Sequence, residues 1–179
     1  EFAGQTFAAD GGQVGYNDPQ CQLMKHAQRH NLLLPTGLDR RPAPTNDVGI
    51  LPDPRGAEKR FHAEMDLSPR WEGIYKQWRR TIDSPAPDRF TIVDEYELSQ
   101  GDGVAFAWST FLPVEVNKEE GKVAITGQRG RVEIAIPEGA EVRVDELPMP
   151  DGQPQRRIVF SQRATAGRLQ VEAQLIPME

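Results

Sequence analysis

Histidine and cysteine are scarce in this sequence, so the candidates of those types can be named one by one. The chain carries 3 histidines and 1 cysteine in 179 residues. Asp10 closes the short run Thr6-Phe7-Ala8-Ala9, and a glycine-rich turn separates it from Tyr16. His30 opens the run Asn31-Leu32-Leu33-Leu34-Pro35-Thr36-Gly37, which reads as an apolar strand ending in a turn. A carboxylate at a strand end and an imidazole later in the chain suit two ligands of a metal ion. Blander roles stay open for both. A loop aspartate often caps backbone amides, and a lone histidine at a strand start is commonly a hydrogen-bonded structural residue. Two ligands do not close a tetrahedral zinc site, so any further ligands come from outside this chain or from water.

Other candidates carry less. His62 falls on the polar side of an alternating run and reads as solvated surface, as does His26. The single Cys21 excludes an internal disulfide and any multi-cysteine zinc site. Arginines are paired at Arg40-Arg41, Arg79-Arg80 and Arg156-Arg157, and each pair is read first as solvated edge or loop. Neither a serine-nucleophile elbow nor a phosphate-binding glycine loop is present, and no zinc-protease helix motif is found. The formal net charge of −6 argues against a nucleic-acid partner recruited by bulk positive charge. No apolar window is long enough to cross a bilayer, so no membrane partner is expected.

The elements that must position these residues are strands. Phe61, Ala63, Met65 and Leu67 alternate with Arg60, His62, Glu64 and Asp66, the period of a sheet with one wet face. Residues 74–82 are β-rich but less regular. Phe90, Ile92, Tyr96 and Leu98 share one side of the next run, and Val104, Phe106, Trp108 and Leu112 continue the pattern. Shorter runs follow around Val123, Val132, Val142, Ile158 and Leu169. Turn signals such as Ser84-Pro85-Ala86-Pro87-Asp88, Gly101-Asp102-Gly103 and Pro137-Glu138-Gly139 separate them, where Pro and Gly break no ladder. Short strands at regular spacing predict an all-β, antiparallel sandwich of about a dozen strands in a single domain over 1–179. At most, residues near 20–30 form a short helix. Residues 38–57, rich in proline and charge, read as a long irregular loop.

Four motifs occur in a telling order. They are D-x-G-x-x-x-Y (Asp10, Gly12, Tyr16), H-N-x-L-x-x-x-G (His30, Asn31, Leu33, Gly37), W-x-R-x-I (Trp78, Arg80, Ile82) and I-V-D (Ile92, Val93, Asp94). In this order the chain resembles the C-terminal β-sandwich region of the heparinase II/III-like polysaccharide lyases. The resemblance spans most of the first hundred residues; beyond that only the strand-and-turn pattern supports it. One departure is His30-Asn31-Leu32-Leu33, where the family often has threonine at the position of Leu32.

The resemblance implies a supersandwich that follows an N-terminal α/α toroid lying outside this sequence. It implies a periplasmic or secreted protein that cleaves uronate-containing acidic polysaccharides, glycosaminoglycans among them, by β-elimination. There the uronate carboxylate is neutralised, a base removes the neighbouring carbon-bound proton, and an acid protonates the leaving oxygen. The family's catalytic Tyr and His residues match no position here, so no catalytic residue is expected in this chain, and on its own the chain is expected to be inactive. Asp10 and His30 match ligands of a structural zinc or calcium ion whose remaining His lies upstream, which leaves the site incomplete here. Tyr16, Arg40 and Arg41 are the residues expected to meet substrate. The rival reading is a non-catalytic carbohydrate-binding or structural module, with Trp71, Tyr75, Trp78 and Trp108 as a stacking face; an inward, core position is the commoner fate of such aromatics.

Overall fold

The computed structural model describes residues 2, 4–9, 27–39, 55–57, 59–149 and 152–178. Twelve strands run through them: β1 (Leu33–Thr36), β2 (Arg55–Ala57), β3 (Arg60–Asp66), β4 (Tyr75–Ala86), β5 (Arg89–Leu98), β6 (Gly103–Thr110), β7 (Val114–Asn117), β8 (Lys122–Thr126), β9 (Gly130–Ala135), β10 (Glu141–Leu147), β11 (Gln155–Gln162) and β12 (Ala166–Pro177). They form two antiparallel sheets. The smaller has the order β1-β6-β11-β10, and the larger β2-β3-β4-β5-β12-β9-β8-β7. The all-β sandwich predicted from periodicity is therefore observed.

Alternation explains which side chains meet between the sheets. Val104, Phe106 and Trp108 of β6 and Ile158 and Phe160 of β11 pack inward from the small sheet. Opposite them lie Trp78, Tyr96, Leu169, Val171, Val132, Ile134, Val123 and Ile125 from the large sheet. The other face of β6 is covered too: Ala107 and Ser109 are buried although they point away from that core. A strand buried on both faces needs small residues on its second face, and the alternation of bulky and small residues along β6 supplies them.

One irregularity is explained and two expectations are corrected. Residues 74–82 looked irregular because β4 carries a bulge: the register slips between Tyr75 and Gln77, so Tyr75 and Trp78 are both buried despite their odd spacing. Phe61 was placed on the buried side with Ala63, yet it is 44% exposed while Ala63 is 2% exposed. It sits at the β2–β3 margin of the eight-stranded sheet, and four strands facing eight leave part of the wider sheet uncovered. The run into Asp10 is not a regular strand. Phe2 and Gln5 form only an isolated bridge around Gly4, and the chain then follows β6 through single bonds.

The short helix expected near 20–30 appears only as a 3₁₀ turn, Ala27–Arg29, with residues 20–26 outside the described set. Of the 38–57 loop, Arg55–Ala57 is strand β2, and 40–54 lie outside the described residues. Among the described residues no helix is long and apolar enough to cross a membrane.

Candidate functional site around the His30 turn

The W-x-R-x-I and I-V-D motifs meet inside the sandwich. Asp94 sits in the apolar row of β5 and is fully buried; Arg80 sits in the matching row of β4, directly across from it. The guanidinium grips the carboxylate with two bonds: Arg80 Nε donates to Asp94 Oδ1 at 2.8 Å and Nη2 to Oδ2 at 2.8 Å. Trp78 Nε1 donates to Oδ1 at 2.6 Å. The cation also lies over the rings of Trp78 and Phe106, at 5.3 and 5.5 Å from their centroids. A bidentate, charge-assisted pair with its remaining valences used is the form in which buried charges persist. Both side chains are buried and bonded to each other, which is the arrangement of a structural pair. The reading of Arg79-Arg80 as a solvated pair fails for Arg80 and holds for Arg79, which is exposed.

The third guanidinium nitrogen reaches the H-N motif. Arg80 Nη1 donates to the carbonyl of Asn31 at 3.2 Å. The Asn31 side chain turns the other way, its Oδ1 accepting from the amide of Ser109 in β6 at 2.7 Å. Asn31 thus ties the chain just after His30 to both sheets. His30 itself is half-buried at the end of the 3₁₀ turn; its amide donates to Ala27 O at 3.2 Å and its carbonyl accepts from Leu32 at 3.0 Å. Arg29 anchors the turn from the front: it is 5% exposed and donates from Nη1 to Pro148 O at 2.9 Å. Burial, then the nearby Arg157, lowers its pKa from the ordinary value. Tyr75 closes the far side, donating its hydroxyl to Leu33 O at 3.0 Å. Burial pushes that phenol far above its ordinary range, so it serves as a fixed donor and not as a base.

The segment leading to Asp10 reaches the same place. Trp108 Nε1 donates to Phe7 O at 3.0 Å, and Ala9 N donates to Ser109 O at 2.7 Å. Ser109 therefore accepts from Ala9 with its carbonyl and donates to Asn31 with its amide. The covalent neighbours of Asp10 and His30 share one anchor residue. Asp10, Tyr16, Arg40 and Arg41 themselves lie outside the described residues, as do Cys21 and His26. No cluster of three or more metal-ligating side chains occurs among the described residues. Of the two expected ligands only His30 is among the described residues.

Replacing Asn31 with alanine is expected to leave the buried Ser109 amide unpaired and to cost about 1–3 kcal/mol. A urea titration reads this; an unchanged midpoint would mean that the Asn31 side chain anchors nothing.

The sequence signal for the buried pair was present but not used. Asp94 shares its side of β5 with Phe90, Ile92, Tyr96 and Leu98, and a charge in an apolar row marks a buried partner. The proposed aromatic stacking face is not observed: Trp71, Tyr75, Trp78 and Trp108 are each at most 4% exposed. Arg157 of the third arginine pair is held by Asp145 at 2.7 Å.

His62 is at the surface as expected, but it is engaged. Its Nδ1 lies 3.1 Å from Asp83 Oδ1 and its Nε2 lies 3.3 Å from Glu64 Oε1. The Asp83 bond, then the Glu64 bond, raise its pKa above the ordinary 6.5. A histidine raised on folding stabilises the fold fully below its unfolded pKa, and that contribution fades as pH climbs through the folded one. An NMR titration is expected to place the His62 midpoint above the ordinary value in this chain and to bring it down in Asp83→Asn. A midpoint at or below the ordinary value would contradict the pairing.

No family model and no curated protein sequence matches the chain. Solved structures do. A heparinase III with methylated lysines superposes with a TM-score of 0.73 at 12% identity, over 99% of this chain and 29% of that one. The fold is that of the heparinase III sandwich. Heparan sulfate lyase HepC from Pedobacter heparinus agrees, with a TM-score of 0.73 at 12% identity over 98% of this chain and 29% of that one. A mutant of the same lyase gives 0.74 at 11% identity. The matched part is the C-terminal part of the heparinase III chain, and this chain spans less than a third of the length of these lyases. At the level of fold, the heparinase likeness read from motif order is borne out.

Proposed function

We propose that this chain is the C-terminal β-sandwich of a polysaccharide lyase that cleaves uronate-containing acidic glycans by β-elimination. The observation that carries the reading is the heparinase III fold along nearly the whole chain, joined to the motif order from Asp10 to Asp94. Sharing of the Ser109 anchor by Ala9 and Asn31 supports Asp10 and His30 as a ligand pair. In this scheme a zinc or calcium ion, completed by a residue from outside the chain, stiffens the wall of the substrate cleft. Tyr16, Arg40 and Arg41 face the acidic polysaccharide, the arginines offering forked donors that match carboxylate and sulfate. The proton transfers belong to a toroid domain outside this sequence, and the sandwich alone is inactive. The lyase acts in the periplasm or outside the cell.

A protein that carries this chain together with its upstream sequence tests the reading. Offered heparan sulfate, alginate and hyaluronan, it is expected to generate the ultraviolet absorbance of unsaturated uronates on at least one. No absorbance on any acidic glycan would overturn it.

A further inference from the structure

The end of the wide sheet where β2, β3 and β4 meet forms a cavity of about 540 Å³. That volume falls within the roughly 300–1,000 Å³ of small-ligand sites. Arg55 of β2, Arg60, Phe61 and His62 of β3 and Asp83 of β4 line it. Residues of both sheet faces contribute, because the cavity lies where β3 begins and β4 ends. No residue of the His30 turn takes part.

Charge is its first unusual feature. The whole chain is acidic, with a formal net charge of −6, yet two guanidiniums and an imidazole line this cavity against one carboxylate. That carboxylate is engaged already. Asp83 Oδ1 lies 3.1 Å from His62 Nδ1, and Glu64 holds the other ring nitrogen at 3.3 Å. Arg60 is exposed and has no ion-pair partner among the described residues. A guanidinium left over beside a satisfied carboxylate offers its fork to an incoming oxyanion. The second feature is a bare ring. Phe61 is 44% exposed, the one exposed aromatic among the described residues. Its cross-strand neighbours are Gly56 and Ser84, both small. A β-carbon added at Gly56 would lie 3.9 Å from the Phe61 ring, so a longer side chain there would cover it. β2 is the edge strand of the sheet, and its three residues are all exposed. An exposed apolar ring rimmed by polar groups marks a place of recognition.

We propose that this cavity binds an acidic saccharide unit, with the apolar face of the sugar on the Phe61 ring and its sulfate or carboxylate on the guanidiniums of Arg55 and Arg60. The ring supplies apolar contact area and the forked donors supply orientation, the usual division of work in a small-ligand site. His62 is occupied at both nitrogens and serves as a wall of the cavity. The choice of a saccharide as carrier of the anion rests on the lyase reading; the excess of cations and the bare ring do not.

The test uses the whole protein, with its upstream sequence, titrated calorimetrically with sucrose octasulfate. This sugar has no uronate and so cannot undergo elimination; sucrose is the neutral control. Binding of the sulfated sugar alone is expected, and it should weaken as salt is raised. Arg60→Gln removes one charge and is expected to weaken the affinity about tenfold, the loss of one charge-assisted bond. Gly56→Leu keeps every cation, covers the ring, and is expected to weaken the affinity several-fold. Both positions are exposed, so the unfolding midpoint should barely move. Phe61→Ala is a poorer choice, since a ring beside an edge glycine also supports the strand pair. No binding of the sulfated sugar, equal binding of sucrose, or unchanged affinity in either folded variant overturns the site. Release of unsaturated uronates, measured on the same protein, reads the lyase assignment separately. Release together with unchanged affinity in the variants overturns this site alone. Affinity lost in the variants of a protein that cleaves no acidic glycan leaves the site standing and overturns the lyase reading.

Discussion

Replacing Asp94 with alanine is expected to cost about 3–5 kcal/mol, a large share of the stability of a domain this size. The substitution leaves the Arg80 guanidinium inside the sandwich with the Asn31 carbonyl as its remaining oxygen partner, and it leaves the Trp78 indole without an acceptor. The size of the loss reflects a stranded charge and not the net value of the ion pair. Taking both charges out of water costs nearly as much as their attraction returns, so a joint change to apolar residues is far milder than either single change. Urea denaturation of Asp94→Ala, Arg80→Met and Asp94→Leu/Arg80→Met should show this. The double variant is expected to lose clearly less than the sum of the singles, with a similar denaturant slope throughout. Loss in the double variant equal to that sum would mean the two residues do not act as a pair. By contrast, Lys76 and Glu97 lie 2.7 Å apart on the surface, with side chains 59% and 48% exposed, and removing either should cost at most about 1 kcal/mol.

The second large effect belongs to Trp78. It is completely buried, stacks on Tyr75 at 4.9 Å between centroids, and meets Trp71 at 5.9 Å. Trp78→Ala opens a cavity beside Tyr75 and Trp71 and is expected to cost about 3–5 kcal/mol. Trp78→Phe keeps most of the packing and loses only the bond to Asp94, which should cost about 1–3 kcal/mol. Near-ultraviolet circular dichroism and urea midpoints distinguish the two. The alanine and phenylalanine variants giving the same loss would mean that the ring's bulk contributes little. Because Trp78 and Arg80 share one oxygen of Asp94, Trp78→Phe should cost less in an Asp94→Ala background than in the wild type.

Strand periodicity made the architecture legible because an antiparallel sheet with one covered face writes its burial into every second residue. It succeeded along β5, where Tyr96 and Leu98 turn inward as read, and along β6, where Val104, Phe106 and Trp108 do. It failed where the geometry departs from that rule. The β4 bulge shifts the phase between Tyr75 and Trp78, and a strand near the sheet margin leaves Phe61 wet on the side that buries Ala63. The site is legible only in part. Motif order pointed to His30, Asn31, Trp78, Arg80 and Asp94 as a set. That four of them form one anchoring network, with Asn31 O and Asp94 both on Arg80, depends on pairings between distant strands that no spacing encodes. Ser109 carried no signal at all, since a small polar residue in a strand looks like a solvent-facing position until the second face of β6 is seen to be buried.

The central claim is that this sandwich serves a β-eliminating lyase. Mass analysis of the products released from heparan sulfate, alginate or hyaluronan by the whole protein tests it most directly. Elimination leaves an unsaturated uronate at the new non-reducing end, so each such fragment should weigh one water less than its hydrolysed counterpart. Fragments carrying the added water would identify a hydrolase and contradict the account.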